Sequence, residues 1–139
     1  MSNIFSGRLQ SGFVVSHDTL SYINLAALEV NAAWWNGVTG RLEIPAGFDV
    51  IEVQAAGFWE YSLAGSVRRI VVQSQSLLTE RADNRPPVAN EVFLTSCQVG
   101  GVIYNPGSGP VSLSLGFYHD AGVPLRVFEA ALFVRGSVG

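Results

Sequence analysis

Arg41 to Leu63 reads RLEIPAGFDVIEVQAAGFWEYSL, and its second half decides the fold class. From Ile51 the odd positions are Ile51, Val53, Ala55, Gly57, Trp59, Tyr61 and Leu63, all apolar or small. The even positions, Glu52, Gln54, Ala56, Phe58, Glu60 and Ser62, are mostly polar. Alternation with a period of two over about a dozen residues predicts a long β-strand with one face in a core. A helix would cluster its apolar residues three and four apart, a pattern that Glu52, Gln54 and Glu60 interrupt. Just upstream, Pro45-Ala46-Gly47 turns the chain out of a short run, Leu42-Glu43-Ile44.

The same strand grammar extends in both directions. Downstream, Ala64-Gly65-Ser66 leads into Val67–Ser74, VRRIVVQS, which is rich in β-branched residues and reads as the second arm of a hairpin. Ser76 to Asn90 holds Pro86-Pro87 and four charges, which predicts an exposed loop and no core strand. Val92–Val99 returns to strand, Gly100-Gly101 breaks it, and Asn105 to Pro110 is a loop. Val111, Leu113, Leu115 and Phe117 alternate along the next strand, and His119-Asp120-Ala121-Gly122 reads as a hairpin turn. The last run, Leu125 to Val134, is apolar on both faces apart from Arg126 and Glu129, so it is expected to be a central strand covered on both sides. Upstream, Asn36-Gly37 is a turn dipeptide, Asn24 to Glu29 reads as a helical turn or a strand, and Phe13-Val14-Val15 is a short strand. Residues 1–12 are polar, with Ile4, Phe5 and Leu9 as anchors for an arm on a neighbour or a frayed end. The organisation expected is therefore an N-terminal arm, 1–12, and one domain, 13–139. About eight to ten short strands with almost no helix mean an all-β antiparallel sandwich of jelly-roll type.

Composition restricts the partners. Only 14% of the 139 residues are charged, against roughly 25% in ordinary soluble domains, while 48% are hydrophobic. Either the protein is a rigid Ser/Gly-rich sandwich or subunits cover much of its surface, and the second reading is favoured because obligate interfaces resemble a divided core. All eight basic residues are Arg, a side chain suited to interfaces through its fixed, weakly hydrated fork, although coding bias has the same signature. A net charge of −3 argues against binding nucleic acid or an anionic membrane. The first residues, MSNIFSGRLQSG, lack a basic-then-apolar signal, and no run reaches the roughly 18 apolar residues of a membrane span. A single cysteine, Cys97, allows no intrachain disulfide and fits synthesis in a reducing cytoplasm. Its apolar setting marks it as a small hydrophobe.

No constellation of catalytic residues emerges. His17-Asp18 and His119-Asp120 would make a metal site if their loops converged, but both pairs read as turns, where Asp serves backbone geometry. There is no G-x-S-x-G nucleophile elbow, no phosphate-cradling glycine loop followed by Lys and Ser or Thr, and no carboxylate pair that stands out. Two separated histidines cannot supply the several that a cupin-type metal site needs. No enzyme, metal or cofactor is expected.

The order of motifs resembles a known family. Trp35, then Gly40-Arg41-Leu42, then Ile44-Pro45-Ala46-Gly47 runs into a long aromatic-bearing strand, an Arg-rich strand Val67–Val72 follows, and Phe128–Val134 closes the chain before a glycine. This resembles the C1q/TNF-like jelly rolls found as small virion proteins and fibre tips of tailed bacteriophages, over roughly residues 34–136. Where that family often has Gly-Asp before the penultimate strand, this chain has Gly109-Pro110. The resemblance implies a homotrimer, with the sheet holding the first and last strands turned towards the axis. It also implies a virion location, on the capsid or the tail, with other virion proteins as partners. The alternative is a receptor- or carbohydrate-binding module, using exposed aromatics beside the Glu80–Pro87 and Asn105–Pro110 loops to hold a host-surface glycan.

Adjacent Trp34 and Trp35 point to opposite sides if extended, so one is expected in the core and the other exposed. The subunit interface is assigned to Trp34, Phe128, Leu132 and Val134, and ligand contact to Trp35 and Tyr104. Trp59, on the apolar face of the long strand, is expected in the core.

Overall fold

The computed structural model describes residues 3–87 and 95–138. Two antiparallel sheets stack face to face as a jelly-roll β-sandwich. The first runs β10 (Thr95–Tyr104), β7 (Val50–Trp59), β12 (Leu125–Ser137), β1 (Ile4–Arg8) and β4 (Ala27–Val30), with β2 (Phe13–Val15) also on β12. The second runs β5 (Trp35–Asn36), β6 (Arg41–Ile44), β11 (Val111–His119), β8 (Arg68–Ser74) and β9 (Thr79–Arg85), with β3 (Ser21–Tyr22) also on β11.

The period-two reading of β7 holds. Ile51, Val53, Ala55 and Trp59 are buried, and the face carrying Gln54 and Phe58 points away from the core. The opposing sheet supplies Leu113, Leu115 and Phe117 from β11 and Ile70 and Val72 from β8. Trp59 meets Phe117 edge-on, with ring centroids 5.6 Å apart. At Gly57 the sheets come so close that a Cβ would lie 2.4 Å from the Phe117 ring, so only glycine fits.

Connectivity departs from the expectation at both turns read as hairpins. β7 lies in the first sheet and β8 in the second, and β11 and β12 are likewise divided. Residues 60–67 and 120–124 are therefore crossovers that hold the sheets together. Each is pinned by a charged side chain. Asp120 accepts from the Ser66 hydroxyl (2.7 Å), the Ser66 N–H (2.8 Å) and the Val67 N–H (2.9 Å). These donors, the hydroxyl foremost, hold its carboxyl down at about 2. Arg68 is fully buried and donates to the Ser62 and Ala64 carbonyls at 3.1 and 2.8 Å. Gly65 fits at φ 76° because a Cβ there would strike Asp120 at 2.4 Å.

Three further expectations are corrected. Residues 4–8 form β1 within the sheet, with Phe5 fully buried, because Ile4–Arg8 ladders onto Arg135–Ala131 of the same chain. Residues 79–85, expected as loop, form edge strand β9, whose ladder to β8 tolerates charge because none of its side chains enters the core. Gly100-Gly101, expected to break a strand, lie inside β10, which continues to Tyr104. Of Asn24 to Glu29, only Ala27 onward is strand, as β4, the residues before it being irregular, and Ala32–Trp34 forms a 3₁₀ turn. Of the strand expected over Val92–Val99, residues 92–94 lie outside the described residues.

Two consequences are measurable. Gly57→Ala should destabilise by about 1–3 kcal/mol through overpacking, whereas Gly100→Ala, with only the Val53 carbonyl oxygen at 3.9 Å, should stay within about 0.5 kcal/mol in thermal melts. Asp120 has its carboxyl lowered from 3.8, so the stability it contributes is complete above pH 4 and is lost as pH falls towards 2. Asp120→Asn should flatten the stability-versus-pH curve in that window and lower the plateau above it.

Candidate interaction surface

Among the described residues, the outward face of the first sheet is a broad surface whose chemistry is unlike a solvated sheet. Its centre is a depression of about 660 Å³ whose lining includes the small or uncharged Ser6, Gln54, Ala56, Gln98, Gly100 and Ala131, together with Phe133 and one charged residue, Arg85. The ladders put these residues side by side: Ala56 lies across from both Ala131 and Gln98, and Gln54 across from both Phe133 and Gly100. A second depression of about 360 Å³ shares Ala56 and Ala131 and runs on to Phe58 and Phe128, which are 38% and 42% exposed. Three basic side chains in or beside this area are each paired with a carboxylate, Arg135 with Glu52 (2.7 Å), Arg85 with Asp83 (2.9 Å) and Arg8 with Glu29 (2.5 Å), while Arg126, next to Phe128, is outside these pairs. Exposed pairs of this kind add little to folding, so their main effect is to neutralise three of the cations beside the face.

The second sheet's outward face is finished differently. Tyr22 donates to Gln73 (2.5 Å), Gln73 donates to Glu80 (3.1 Å), Arg69 donates to the same carboxylate (2.9 Å), and Tyr118 donates to Asp18. Its polar groups already bond one another, as a water-facing sheet requires.

The structure divides the residues assigned from sequence. Phe128 and Tyr104 are exposed, Tyr104 to 71% at the end of β10. Leu132 and Val134 are buried in the chain's own core and are unavailable to a partner. The reason is a β-bulge between Val127 and Glu129. Odd residues Leu125 and Val127 point inward before it, even residues Ala130, Leu132 and Val134 after it, and Phe128 is the extra residue left outside. The surface residues missed by an uninterrupted alternation are Ala131 and Phe133.

Both tryptophans are core residues, with 8% and 7% exposure for Trp34 and Trp35. The alternation argument fails because Trp34 closes the 3₁₀ turn and packs on Phe48, 6.2 Å away, while Trp35 opens β5. Trp35 stacks on Phe5 at 6.2 Å, and its indole N–H donates to Asn24 Oδ1 at 2.7 Å. It is thus a structural side chain and no ligand contact. The Asn105–Pro110 loop is held from inside, because buried Asn105 donates to the Phe48 and Gly109 carbonyls at 2.7 and 2.8 Å.

The titratable groups are committed to structure. Burial pushes the Cys97 thiol up to about 11, and it donates to the Arg68 carbonyl at 3.3 Å. His119 is buried at the end of β11, so it is a core residue as well as a turn residue. The two His loops do converge, with ring centroids 6.3 Å apart. Among the described residues, however, no group of three or more His, Cys, Asp or Glu is placed to hold a metal ion.

No family model matches the chain, and no curated protein matches it in sequence. Solved structures match its fold over almost its whole length. PRD1 vertex protein P5 aligns with TM-score 0.65 at 12% identity, covering 99% of this chain and 98% of that one. The globular domain of zebrafish complement 1qA protein aligns with TM-score 0.57 at 14% identity, covering 99% and 97%. Eiger TNF from S. frugiperda aligns with TM-score 0.57 at 10% identity, covering 98% and 92%. The fold is the C1q/TNF-like jelly roll that the motif order implied.

If Trp35 is structural, Trp35→Ala should cost about 3–5 kcal/mol in chemical denaturation, and Tyr104→Ala should change stability by less than about 0.5 kcal/mol.

Proposed function

We propose that this C1q/TNF-like jelly roll is a structural protein of a tailed-bacteriophage virion, assembled as a homotrimer through the outward face of its first sheet. The observation that carries the reading is that face: small, uncharged side chains over the centre of the sheet, Phe58, Phe128 and Phe133 beside them, and Arg8, Arg85 and Arg135 each paired with a carboxylate. It belongs to the sheet containing the first and last strands, β1 and β12, the sheet that the resemblance turns towards a threefold axis. Ala and Gly let two backbones approach closely, and depressions lined mostly by uncharged side chains can accept side chains from a neighbour with little desolvation of charge. Closure about an axis covers the face on every copy, which explains how a chain with 14% charged residues stays in solution.

The virion location rests on the motif order and on the fold shared with a vertex protein. Capsid decoration or a fibre knob, with other virion proteins as docking partners, is the role that follows. The role is non-enzymatic: the thiol, the two imidazoles and the Asp120 carboxylate are each used in hydrogen bonds that hold the fold. Attachment to a host glycan is the weaker reading, since Trp35 is in the core and Tyr104 alone offers no paired stacking platform.

Sedimentation at micromolar concentration should give three times the 14.9 kDa chain mass. Ala131→Arg should shift the protein to the mass of one chain with an unchanged circular-dichroism spectrum. A wild-type protein that sediments as a single chain would overturn the reading.

A further inference from the structure

The two histidines of the chain meet at one end of the sandwich, and each accepts a hydrogen bond from the backbone of one turn. The Ala121 N–H donates to Nδ1 of His119 at 3.1 Å, and the Gly122 N–H donates to Nδ1 of His17 at 2.8 Å. On the far side of its ring, His119 Nε2 lies 2.8 Å from the Val15 carbonyl oxygen. A carbonyl only accepts and an amide N–H only donates, so His119 is the neutral tautomer with its proton on Nε2. The Asp18 N–H donates to the His119 carbonyl at 2.8 Å, and the Tyr118 hydroxyl donates to the Asp18 carboxylate. Residues 17–18 and the turn at 118–122 therefore form one hydrogen-bonded unit.

We propose that this unit is a proton-released latch: a proton on Nδ1 of His119 removes the acceptor that holds residue 121, and frees the turn into β12, residue 122 included, while the sandwich stays folded. A proton on Nδ1 would face an N–H donor, leaving two donors head to head. The surroundings offer the imidazolium little compensation. Next to His119 are buried Arg68 on β8 and Trp59 on β7 with its ring 5.4 Å away, and Arg68 in turn accepts at its carbonyl from the Cys97 thiol on β10. His17, Asp18 and Tyr118 complete the set with Asp120, and both carboxylates are already engaged, Asp18 by Tyr118 and Asp120 by Ser66 and Val67. Burial, reinforced by Arg68 and His17, outweighs the Val15 bond and Asp120 and holds the His119 pKa below its ordinary value.

The sign follows from linkage. The opened turn takes up its proton near the ordinary pKa of about 6.5 and the closed turn only at lower pH, so closure weakens as pH falls through 6.5. Val123 and Pro124 lie on the freed segment, and Pro124 gathers with Val14 and Phe128 beside the outward face of the first sheet. Acid would thus loosen that end of the molecule. The latch concerns a single chain and is independent of its oligomeric state.

Amide hydrogen exchange followed by NMR from pH 7.5 to 5.0, corrected for the intrinsic pH dependence of exchange, tests it. Protection of Ala121 and Gly122 should fall about tenfold per pH unit below about 6.5, while Leu115 and Phe117 in the β8–β11 ladder keep theirs. In His17→Leu, an exposed site, Gly122 should be unprotected and pH-independent while Ala121 still responds. Constant protection of both amides across the range, or a loss that Leu115 and Phe117 share in step, would overturn the proposal.

Discussion

Strand β12 is hydrogen-bonded on both sides, to β7 along one edge and to β1 and β2 along the other, and the remainder of the molecule is arranged around that double ladder. A strand paired on both edges has only its two faces left to vary, and its pleat decides which side chains each face receives. The bulge between Val127 and Glu129 sets that decision part-way along. It sends Ala130, Leu132 and Val134 into the core, and leaves Phe128, Ala131 and Phe133 on the outside of the sheet. One extra residue thereby defines both the packing of the sandwich and the surface offered to a neighbour.

The two outward faces then differ in kind. On the second sheet the polar side chains bond to one another, from Tyr22 through Gln73 and Glu80 to Arg69, and need nothing further from a partner. On the first sheet, Ala56, Ala131 and Gly100 leave shallow space bordered by aromatic rings and neutralised ion pairs. That asymmetry is what a sandwich with one solvated face and one shared face requires, and it is the physical basis of the trimeric virion reading. At the end of the sandwich, the crossovers carry the charges that a hydrophobic interior cannot hold unpaired. Arg68 is spent on loop carbonyls and Asp120 on loop donors.

Much of this was legible in the residues themselves, and the rest was hidden for identifiable reasons. The alternation from Ile51 to Trp59 correctly placed its odd side chains inside, because an unbroken central strand obeys its own period. Leu132 and Val134 were misplaced because a bulge changes parity without any mark in composition. Trp34 and Trp35 both went inside because a 3₁₀ turn ends between them and the strand rule does not apply there. Gly-rich turns at 64–66 and 119–122 announced reversals but not which sheet the next strand would join. That choice is enforced by Asp120 bonding to residues 54 and 53 positions away, a distance no local pattern encodes. The strand at β9 was masked by its charges, which an edge strand carries without penalty.

The central claim is that the outward face of the first sheet is covered in the assembled protein and that of the second is not. Hydroxyl-radical footprinting of the intact protein, read residue by residue by mass spectrometry and normalised to intrinsic reactivity, compares the two faces in one experiment. Strong protection of Phe58, Phe128 and Phe133 is expected, with Tyr22 and Tyr118 reacting freely. Equal reactivity of the two sets would contradict it.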